Sequence, residues 1–485
     1  MFNGNLGLMR TKSGKLSLAL VLSASYLFGV VYLNLWSDDF AALTDNKSNS
    51  IHMLRDARPV SALILFLTFE LVKFNMFFVV LFKLLSLVGL ILVGHFLLKH
   101  LPRDFENKWV MGLIVGIGLC HPSFQVQIHW LHMWLTPWLT LLSLYSYHAW
   151  CRQGYRNKVT GLFLLTTVLL AYPPMAFWIF SYAALKYLYG SKDKKLIFRA
   201  MFKQVNLFIV SYAFSAIISR LILYFFALTL NERVRFVSPN EFAEKIEWFI
   251  TRPIVTSFRP FMIDSPSPIF AIISATPFIV FLGYHLYKEL WSKLGLQSDK
   301  LFLLLLYLIW LFILPAAHLL VTSNNQFEFR MVPSLNFSVV YLVGISLFKM
   351  IEKCHLLKIF VIVMLLATTI VLTNIRFFEL MYKPFNSNLT FFQNEIRQCD
   401  KQQIAQGFVI LDSKAPFPHH KRLGDFSIVS DLEYPWVAKG FLTYYLRVHH
   451  IQSIEFSAAS NSNIFSESLF CEIDIEVYRQ LLLSD

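Results

Sequence analysis

The chain has 485 residues, of which 56% are hydrophobic and only 15% are charged. Soluble domains carry about 25% charged residues, and this chain holds repeated apolar runs near the ~20 residues that cross a bilayer, so its composition excludes a soluble globular protein. The net charge of +13 does not indicate nucleic acid as a partner, because the basic residues fall in short clusters between apolar runs, as topology signals do. The sequence therefore predicts an all-α polytopic membrane protein.

The first apolar run extends from about Leu16 to Leu35 and follows Arg10, Lys12 and Lys15. By the positive-inside rule, the N-terminus is predicted to be cytoplasmic and the run to end on the outer side of the membrane. No small-residue cleavage site follows the run, so we interpret it as a retained anchor.

Two adjacent carboxylates, Asp38 and Asp39, come directly after this run. Neighbouring side chains of a helix or strand point in different directions, so we expect one carboxylate to face an acceptor and the other to orient it or to bind a loop. The sequence does not decide which. Glycosyl transfer needs a base for the proton of the acceptor hydroxyl, and these two residues are the candidates. The structural alternative is that Ser37 or Asp38 caps a short helix.

Arginines are the candidates for holding a departing phosphate. Arg58 precedes Pro59 at the start of a helix predicted to lie flat on the outer surface, because its apolar run of about a dozen residues is too short to span. Arg220 lies about ten residues inside a predicted span, where a charge is costly and usually faces a cavity. Arg330 is the only basic residue of its outer loop, and Arg233 belongs to another outer loop. For Arg58 and Arg330, snorkelling at the interface is the structural alternative.

The second span is predicted from about Met76 to Leu98 and the last from about Ile359 to Thr373. Basic clusters alternate with turns that have few basic residues, which predicts about eleven spans, with the N-terminus inside and the C-terminus outside. The pair Pro173-Pro174 either separates two short segments or kinks one long helix.

Histidines near the third outer turn suggest a second kind of site. His129 and His132 are three residues apart and lie close to Trp130 and Trp134. A metal could bind there, although an interfacial aromatic belt explains the same residues. We expect no cofactor and leave metal dependence open.

The outer loop 231–268 is predicted to contain an amphipathic surface helix. Ser238 and Glu241 have the spacing of a capping box. Phe242, Ile246, Phe249 and Ile250 then fall on one helical face. The loop is therefore predicted to lie on the membrane surface.

A change of composition divides the chain into a membrane part, 1–375, and a C-terminal part, 376–485. The second part is mixed polar and is predicted to be a small, outward-facing α/β domain. We expect a strand at Gly407–Leu411 and a helix near Trp436–Arg447. Cys399 and Cys471 both lie in this part and could pair in an oxidising compartment, if they are close enough.

Four short stretches carry the pattern of a known family: Ser37 to Phe40, Arg58 to Leu63, Pro122 to Phe124, and Tyr172-Pro173. Together they resemble motifs of the GT-C superfamily, in particular of the Gtr-type O-antigen glucosyltransferases of Gram-negative bacteria. That family has a paired acidic motif after the first span and then a Gly-Arg-Pro-Leu stretch that enters a surface helix. Ala57 stands here at the position of that glycine.

The resemblance implies a GT-C-like fold of many helices in the bacterial inner membrane, with a periplasmic active site. It implies undecaprenyl-phosphate glucose as the donor, a sugar of the O-antigen repeat of lipopolysaccharide as the acceptor, and inversion at the anomeric carbon. In that family the acidic pair is essential, and Asp38 and Asp39 occupy its positions. No phosphate-binding loop of a nucleotide enzyme is present, so we expect separate proteins to make and flip the donor.

Other readings remain open. A related GT-C enzyme could act on lipid A or on a protein. A transporter or flippase for lipid-linked glycans is a different class, but it usually shows internal repeats, and we find no convincing repeat. An O-antigen polymerase or ligase would use outer arginines without needing the acidic pair.

Overall fold

The computed structural model of the protein describes residues 2–32, 35, 39, 42–43, 45–101, 108–190, 194–231, 236–258, 276, 279–280, 282–284, 287, 302, 305–322, 331–351, 355–399, 408–411, 442, 456–459 and 471–474. Most of these residues are helical, as the composition predicts. The helices of the first half of the chain are α1 (Phe2–Val31), α2 (Asn46–Arg55), α3 (Pro59–Phe74), α4 (Phe77–His100), α5 (Lys108–Leu119), α6 (Pro122–His129), α7 (Thr136–Cys151), α8 (Tyr155–Ala171) and α9 (Trp178–Gly190).

The second half continues with helices and ends in short strands. The helices are α10 (Lys194–Phe225), α11 (Phe242–Phe249), α12 (Val255–Ser257), α13 (Ala317–Val321), α14 (Pro333–Met350), α15 (His355–Phe377) and α16 (Lys383–Gln398), and the strands are β1 (Phe408–Leu411), β2 (Phe456–Ala459) and β3 (Cys471–Asp474). Short 3-10 or π turns join several of them, at Leu131–Met133, Pro173–Phe177, Pro239–Glu241, Ile250–Ile254, Ile309–Ile313, Leu314–Ala316 and Phe378–Tyr382.

Several of these helices are long and apolar enough to cross a membrane. Within the described residues there are five such segments: Ser13–Val31, Phe77–His100, Lys195–Phe225, Pro333–Met350 and Ile359–Phe377. Helices α5 and α6 form a sixth if they are one span, bent by 70° at its middle. The predicted first, second and last spans are thus found as apolar helices, whereas the total of eleven spans is not confirmed.

Helix α1 is the centre of the membrane part, since it contacts α4, α5, α6 and α15. It approaches α5 closely, because a β-carbon on Gly112 would collide with the Gly14 carbonyl and the Ser17 hydroxyl. Small residues of this kind let the backbones of membrane helices meet. Ser17 Oγ also donates to the Trp109 carbonyl across the interface at 3.2 Å, so a polar contact joins the two helices.

Helix α3 starts after Arg58 with Pro59 in its first turn, as predicted, but it continues to Phe74. The polar residues near its end do not interrupt it. Glu70 accepts hydrogen bonds from Lys73 Nζ at 3.0 Å and from Asn46 Nδ2 at 2.8 Å. Its polar end is thus tied to α2, and the helix is longer than the apolar run alone predicts.

The Pro173-Pro174 pair separates two helices rather than kinking one. Helix α8 ends at Ala171, a 3-10 turn covers Pro173–Phe177, and α9 begins at Trp178. The two helices have 17 and 13 residues. Of the two alternatives left open by the sequence, the structure therefore favours a pair of short segments.

The surface helix of the loop 231–268 forms at the predicted place, but not with the predicted cap. A 3-10 turn at Pro239–Glu241 leads into α11, and Ser238 makes no side-chain capping hydrogen bond. Phe242 and Ile246 are exposed while Phe249 is buried. The helix therefore keeps apolar side chains on its outer side, as a membrane-surface helix does.

The junction between the membrane part and the C-terminal part is helical. Helix α15 continues through the turn Phe378–Tyr382 into α16, so residues 375 and 376 lie within one helical segment that ends at Gln398. The predicted strand at Gly407–Leu411 is found as β1, which pairs in parallel with β2 and β3 on its two sides. The predicted helix near Trp436–Arg447 lies outside the described residues, apart from a helical Leu442.

Cys399, at the end of α16, is disulfide-bonded. Cys120 and Cys151 are free, which leaves Cys354 and Cys471 as partners among the five cysteines of the chain. Helix α16 contacts β3, and β3 begins at Cys471. The packing therefore favours the predicted pair of Cys399 with Cys471.

Candidate functional site

Asp39 is fully buried and lies beyond the C-terminal end of α1. Its Oδ1 accepts hydrogen bonds from the backbone N–H of His132 at 2.9 Å and from His132 Nδ1 at 2.9 Å, and its Oδ2 accepts the backbone N–H of Leu131 at 3.1 Å. These two amides start the 3-10 turn Leu131–Met133, whose own first turn leaves them without acceptors. The Asp39 carboxylate thus caps this turn from about ninety residues away.

Lys83 is a second buried ionisable residue that interacts with this carboxylate. It sits inside the apolar helix α4, is completely buried, and places Nζ 3.5 Å from the Tyr32 carbonyl. Its ammonium interacts electrostatically with Asp39. Ionisable residues inside membrane helices are costly and usually pair with one another. Lys83, Asp39 and His132 therefore form a buried cluster of ionisable residues beyond the C-terminal end of α1.

This arrangement distinguishes the two predicted acidic residues. The Asp39 carboxylate accepts three N–H donors and faces a lysine, so it holds the His132 turn against the end of α1. Asp38 lies outside the described residues, as do Trp36, Ser37 and Phe40. The expectation that one carboxylate of the pair binds a loop is therefore met by Asp39.

Arg58 occupies the position before helix α3, and its guanidinium carbon lies 5.1 Å from the centre of the Tyr172 ring. The contact joins two stretches that are distant in sequence and that both belong to the family-like pattern. His318 interacts electrostatically with Arg58, and its ring lies 4.9 Å from Phe177. Arg58 is therefore placed against an aromatic wall, where a planar guanidinium can stack while its N–H groups point to a bound anion.

The turn before Arg58 is held by hydrogen bonds to two distant segments of the chain. Ala57 has a φ of +60°, the left-handed conformation that glycine adopts most easily. Asn231 Nδ2 donates to Asp56 Oδ1 at 2.6 Å, and Ser219 Oγ donates to the Ala57 carbonyl at 3.3 Å. The alanine therefore holds a turn that glycine forms most easily, at the cost of left-handed strain.

Of the other three candidate arginines, the structure describes only Arg220. Arg220 is exposed and lies five residues before the end of α10 at Phe225. The expected position, ten residues deep and facing a cavity, is wrong, because the helix ends earlier and its outer turns are exposed. Arg233 and Arg330 lie outside the described residues.

His129 and His132 do not share a site. His129 packs against Gly29, and its ring lies 5.9 Å from Tyr26 and 4.9 Å from Phe377, whereas His132 binds Asp39. Among the described residues, no group of three or more His, Cys, Asp or Glu side chains could hold a metal ion. These residues give no support to the metal alternative.

The sequence reasoning missed three residues: Lys83, Arg376 and the role of His132. Lys83 is the one Lys, Arg, Asp or Glu between Phe77 and Leu98, and a lone charge in an apolar run is a usable signal. Arg376 follows the last predicted span and was hidden by its position at the helix end. The contact of His132 with Asp39 leaves no local signal in the sequence.

Comparison with protein-family models, with curated proteins and with solved structures finds no match to this chain. The assignment of a function therefore depends on the residues and geometry described above.

Proposed function

We propose that this chain is a membrane glycosyltransferase that moves a sugar, glucose by resemblance, from a polyprenyl phosphate to a glycan acceptor on the outer side of the membrane. The observation that carries the proposal is the anchored position of Asp39, the second residue of the acidic pair. Asp39 is tied to the helical core by His132 and Leu131 and interacts electrostatically with Lys83, so it has a fixed place beyond the C-terminal end of α1. Catalytic groups need this kind of fixed support.

In the proposed reaction, the acceptor hydroxyl oxygen attacks the anomeric carbon as the bond from that carbon to the phosphate oxygen breaks. The phosphate leaves with the electron pair, and Asp38 takes the hydroxyl proton. Asp38 is assigned as the base because Asp39 is already engaged by three N–H donors. Arg58 stabilises the negative charge on the departing phosphate, a role for which its bidentate guanidinium is suited.

Further features support the outward orientation of this site. The disulfide at Cys399 fits an oxidising compartment such as the periplasm. The parallel strands β1, β2 and β3 need crossover connections, which fits a small outward α/β domain after about eleven spans. We place the enzyme in the bacterial inner membrane, with lipopolysaccharide O-antigen as the acceptor class and a separate donor synthase and flippase.

The test is sugar transfer in detergent or membranes, with polyprenyl-phosphate glucose and lipid-linked O-antigen. Asp38→Asn and Arg58→Ala are each expected to lower the rate by roughly 100-fold or more. Asp45→Asn is the matched control, because Asp45 is exposed and only caps α2 through the Ser48 N–H at 2.9 Å. Full activity of Asp38→Asn would refute the assigned base, and absence of transfer by the wild type would refute this donor and acceptor.

One observation favours a second candidate, a transporter of lipid-linked glycans. Helices α5 and α6 are bent by 70° at Cys120–His121, and transporters often bind substrates at such broken helices. A transporter would move the intact lipid-linked sugar across a vesicle membrane without releasing polyprenyl phosphate. The same purified protein in vesicles distinguishes the two, since only the transferase yields a glycosylated acceptor.

A further inference from the structure

Three basic residues come together at the end of the helical bundle that lies away from Asp39. Lys99 is in the last turn of α4, Arg152 directly follows α7, and Lys186 lies near the end of α9. Helix α7 contacts both α4 and α9, so the C-terminal ends of the three helices meet. At 1.5 Å per residue, Lys99 is about 24 Å along α4 from Lys83, the residue that interacts with Asp39.

Two half-buried histidines lie among these cations. The ring centres of His100 and His148 are 4.7 Å apart, and both rings interact electrostatically with all three basic residues. Arg152 Nη2 donates to His148 Nε2 at 3.0 Å. Because a guanidinium can only donate, His148 is neutral here and carries its proton on Nδ1. We call Lys99, His100, His148, Arg152 and Lys186 the inner basic cluster.

Aromatic side chains support the inner basic cluster from within the bundle. The ring centre of Phe96 lies 4.5 Å from that of His100 and 6.2 Å from that of His148. It also lies 5.6 Å from the ring centre of Tyr182, and Lys186 Nζ is 5.8 Å from the centre of the same tyrosine ring. The basic groups are therefore held against one packed surface that α4, α7 and α9 build together.

No carboxylate balances these charges within the described part of the chain. None of the ion pairs found there involves Lys99, Arg152 or Lys186. A topology signal needs only the charge, and each long side chain can carry it separately into water. Cations that converge without a counter-charge repel one another. Their convergence on one surface is therefore better explained by an anion that binds between them.

The inner basic cluster adjoins a surface that faces lipid. Val88 and Leu92 are exposed one turn apart on α4, and Lys99 follows seven residues later on the same helical face. Tyr145 of α7 is 50% exposed, and its ring centre lies 5.1 Å from that of Phe96. An acyl chain can lie along this apolar face while its headgroup reaches the cations. The surface therefore favours an anion that belongs to a lipid.

We propose that the inner basic cluster binds the phosphate of an anionic phospholipid. Helix α4 is predicted to run from the outer to the inner side, so the lipid belongs to the cytoplasmic leaflet. Basic pockets between membrane helices on that side bind such headgroups. The Arg152 guanidinium and the ammonium groups of Lys99 and Lys186 supply charged donors to the phosphate oxygens. The site does not depend on the proposed function, because it lies at the other end of α4 from Asp39.

The experiment measures binding of phosphatidylglycerol to the purified full chain in a neutral detergent. Phosphatidylcholine, whose choline compensates the same phosphate, and inorganic phosphate are the comparison probes. The wild type is expected to bind phosphatidylglycerol more tightly than either. Arg152→Gln combined with Lys186→Gln, the cluster variant, should weaken this binding by about 25-fold, or about fivefold for each cation removed.

The matched control combines Arg156→Gln with Arg199→Gln. It removes the same charge from two exposed positions on the predicted inner side that are not part of the cluster, and it should bind phosphatidylglycerol like the wild type. Lys99→Gln changes an exposed side chain, so it tests the site without endangering the fold. It is expected to weaken binding by about fivefold.

Thermal unfolding of the same samples gives a second measurement. Phosphatidylglycerol should raise the unfolding temperature of the wild type and of the control more than that of the cluster variant. Equal weakening in the control and in the cluster variant would indicate a general attraction to basic loops and overturn the proposal. Wild-type affinity in both Lys99→Gln and the cluster variant would also overturn it. Inorganic phosphate or phosphatidylcholine that binds as tightly as phosphatidylglycerol would refute an anionic lipid as the ligand.

Discussion

Replacing Asp39 with asparagine tests whether Asp39 has a structural role within the Asp38-Asp39 pair. The asparagine keeps one oxygen for His132, but its NH2 group faces the Leu131 N–H, which now lacks an acceptor at the former Oδ2 position. A buried donor left unsatisfied costs about 1–3 kcal/mol. The substitution also removes the negative charge that interacts electrostatically with the buried Lys83 ammonium, which adds to this cost.

We therefore expect Asp39→Asn to destabilise the protein by about 1–3 kcal/mol. The shift in unfolding temperature is about 2–4 °C per kcal/mol at 150–250 residues and smaller for larger units, so we expect a fall of a few degrees. The assay is thermal unfolding of the purified protein in detergent, followed by intrinsic fluorescence. Asp45→Asn is the matched control, since it removes the same charge at an exposed position and keeps a good helix-capping residue. We expect it to unfold within about 1 °C of the wild type, as substitutions away from buried contacts do.

A double-mutant cycle identifies the partner. If Lys83 and Asp39 stabilise one another, Lys83→Met should destabilise Asp39→Asn less than it destabilises the wild type, by about 0.5–3 kcal/mol. An Asp39→Asn protein that unfolds with the wild type, or strictly additive effects in the cycle, would refute the buried cluster as an anchor.

Three further predictions concern other parts of the chain. Ala57→Gly should raise the unfolding temperature slightly, because relief of about 1–2 kcal/mol of left-handed strain exceeds an entropic cost of about 0.4–1 kcal/mol; a lower temperature would contradict the turn. Cys471→Ser should leave Cys399 open to thiol labelling, whereas Cys354→Ser should not; labelling in the reverse pattern would assign the disulfide to Cys354. Burial lowers the pKa of Lys245 from 10.5 to about 8, so the unfolded state binds more protons between these values and stability rises with pH there. The unfolding temperature of the wild type should therefore gain on that of Lys245→Met between pH 8 and 10, and a constant difference would contradict the shift.

The long apolar helices could be predicted because they depend on local composition. The runs around residues 16–35, 76–98 and 359–373 appear as helices within a few residues of their predicted ends. Pro59 marked the start of α3 correctly, since a proline fits a first helical turn. Helix α3 continues past its apolar run of about a dozen residues, to Phe74, because Lys73, Glu70 and Asn46 satisfy one another in space, and the sequence pattern does not show such a contact.

Contacts across long distances in the chain could not be predicted. Arg58 and Tyr172 belong to two separate motifs, and only the fold shows that the guanidinium lies against the ring. Arg220 illustrates the reverse case. The depth of Arg220 in a predicted span suggests a buried side chain, but this depth does not determine which side of the helix faces the protein. The side chain is exposed, so the inference from an intramembrane charge to a cavity fails when the charge lies close to the helix end.

The two acidic residues show most clearly what the structure adds. By sequence, Asp38 and Asp39 have equal claims to the role of base, because both are carboxylates at the same membrane surface. A carboxylate that already accepts three N–H groups would have to give up those contacts to take a proton from a hydroxyl. The anchor and the base are therefore best served by different residues. Since His132 and Leu131 engage Asp39, we propose that the chemistry belongs to Asp38, and the paired motif then has two roles rather than one duplicated role.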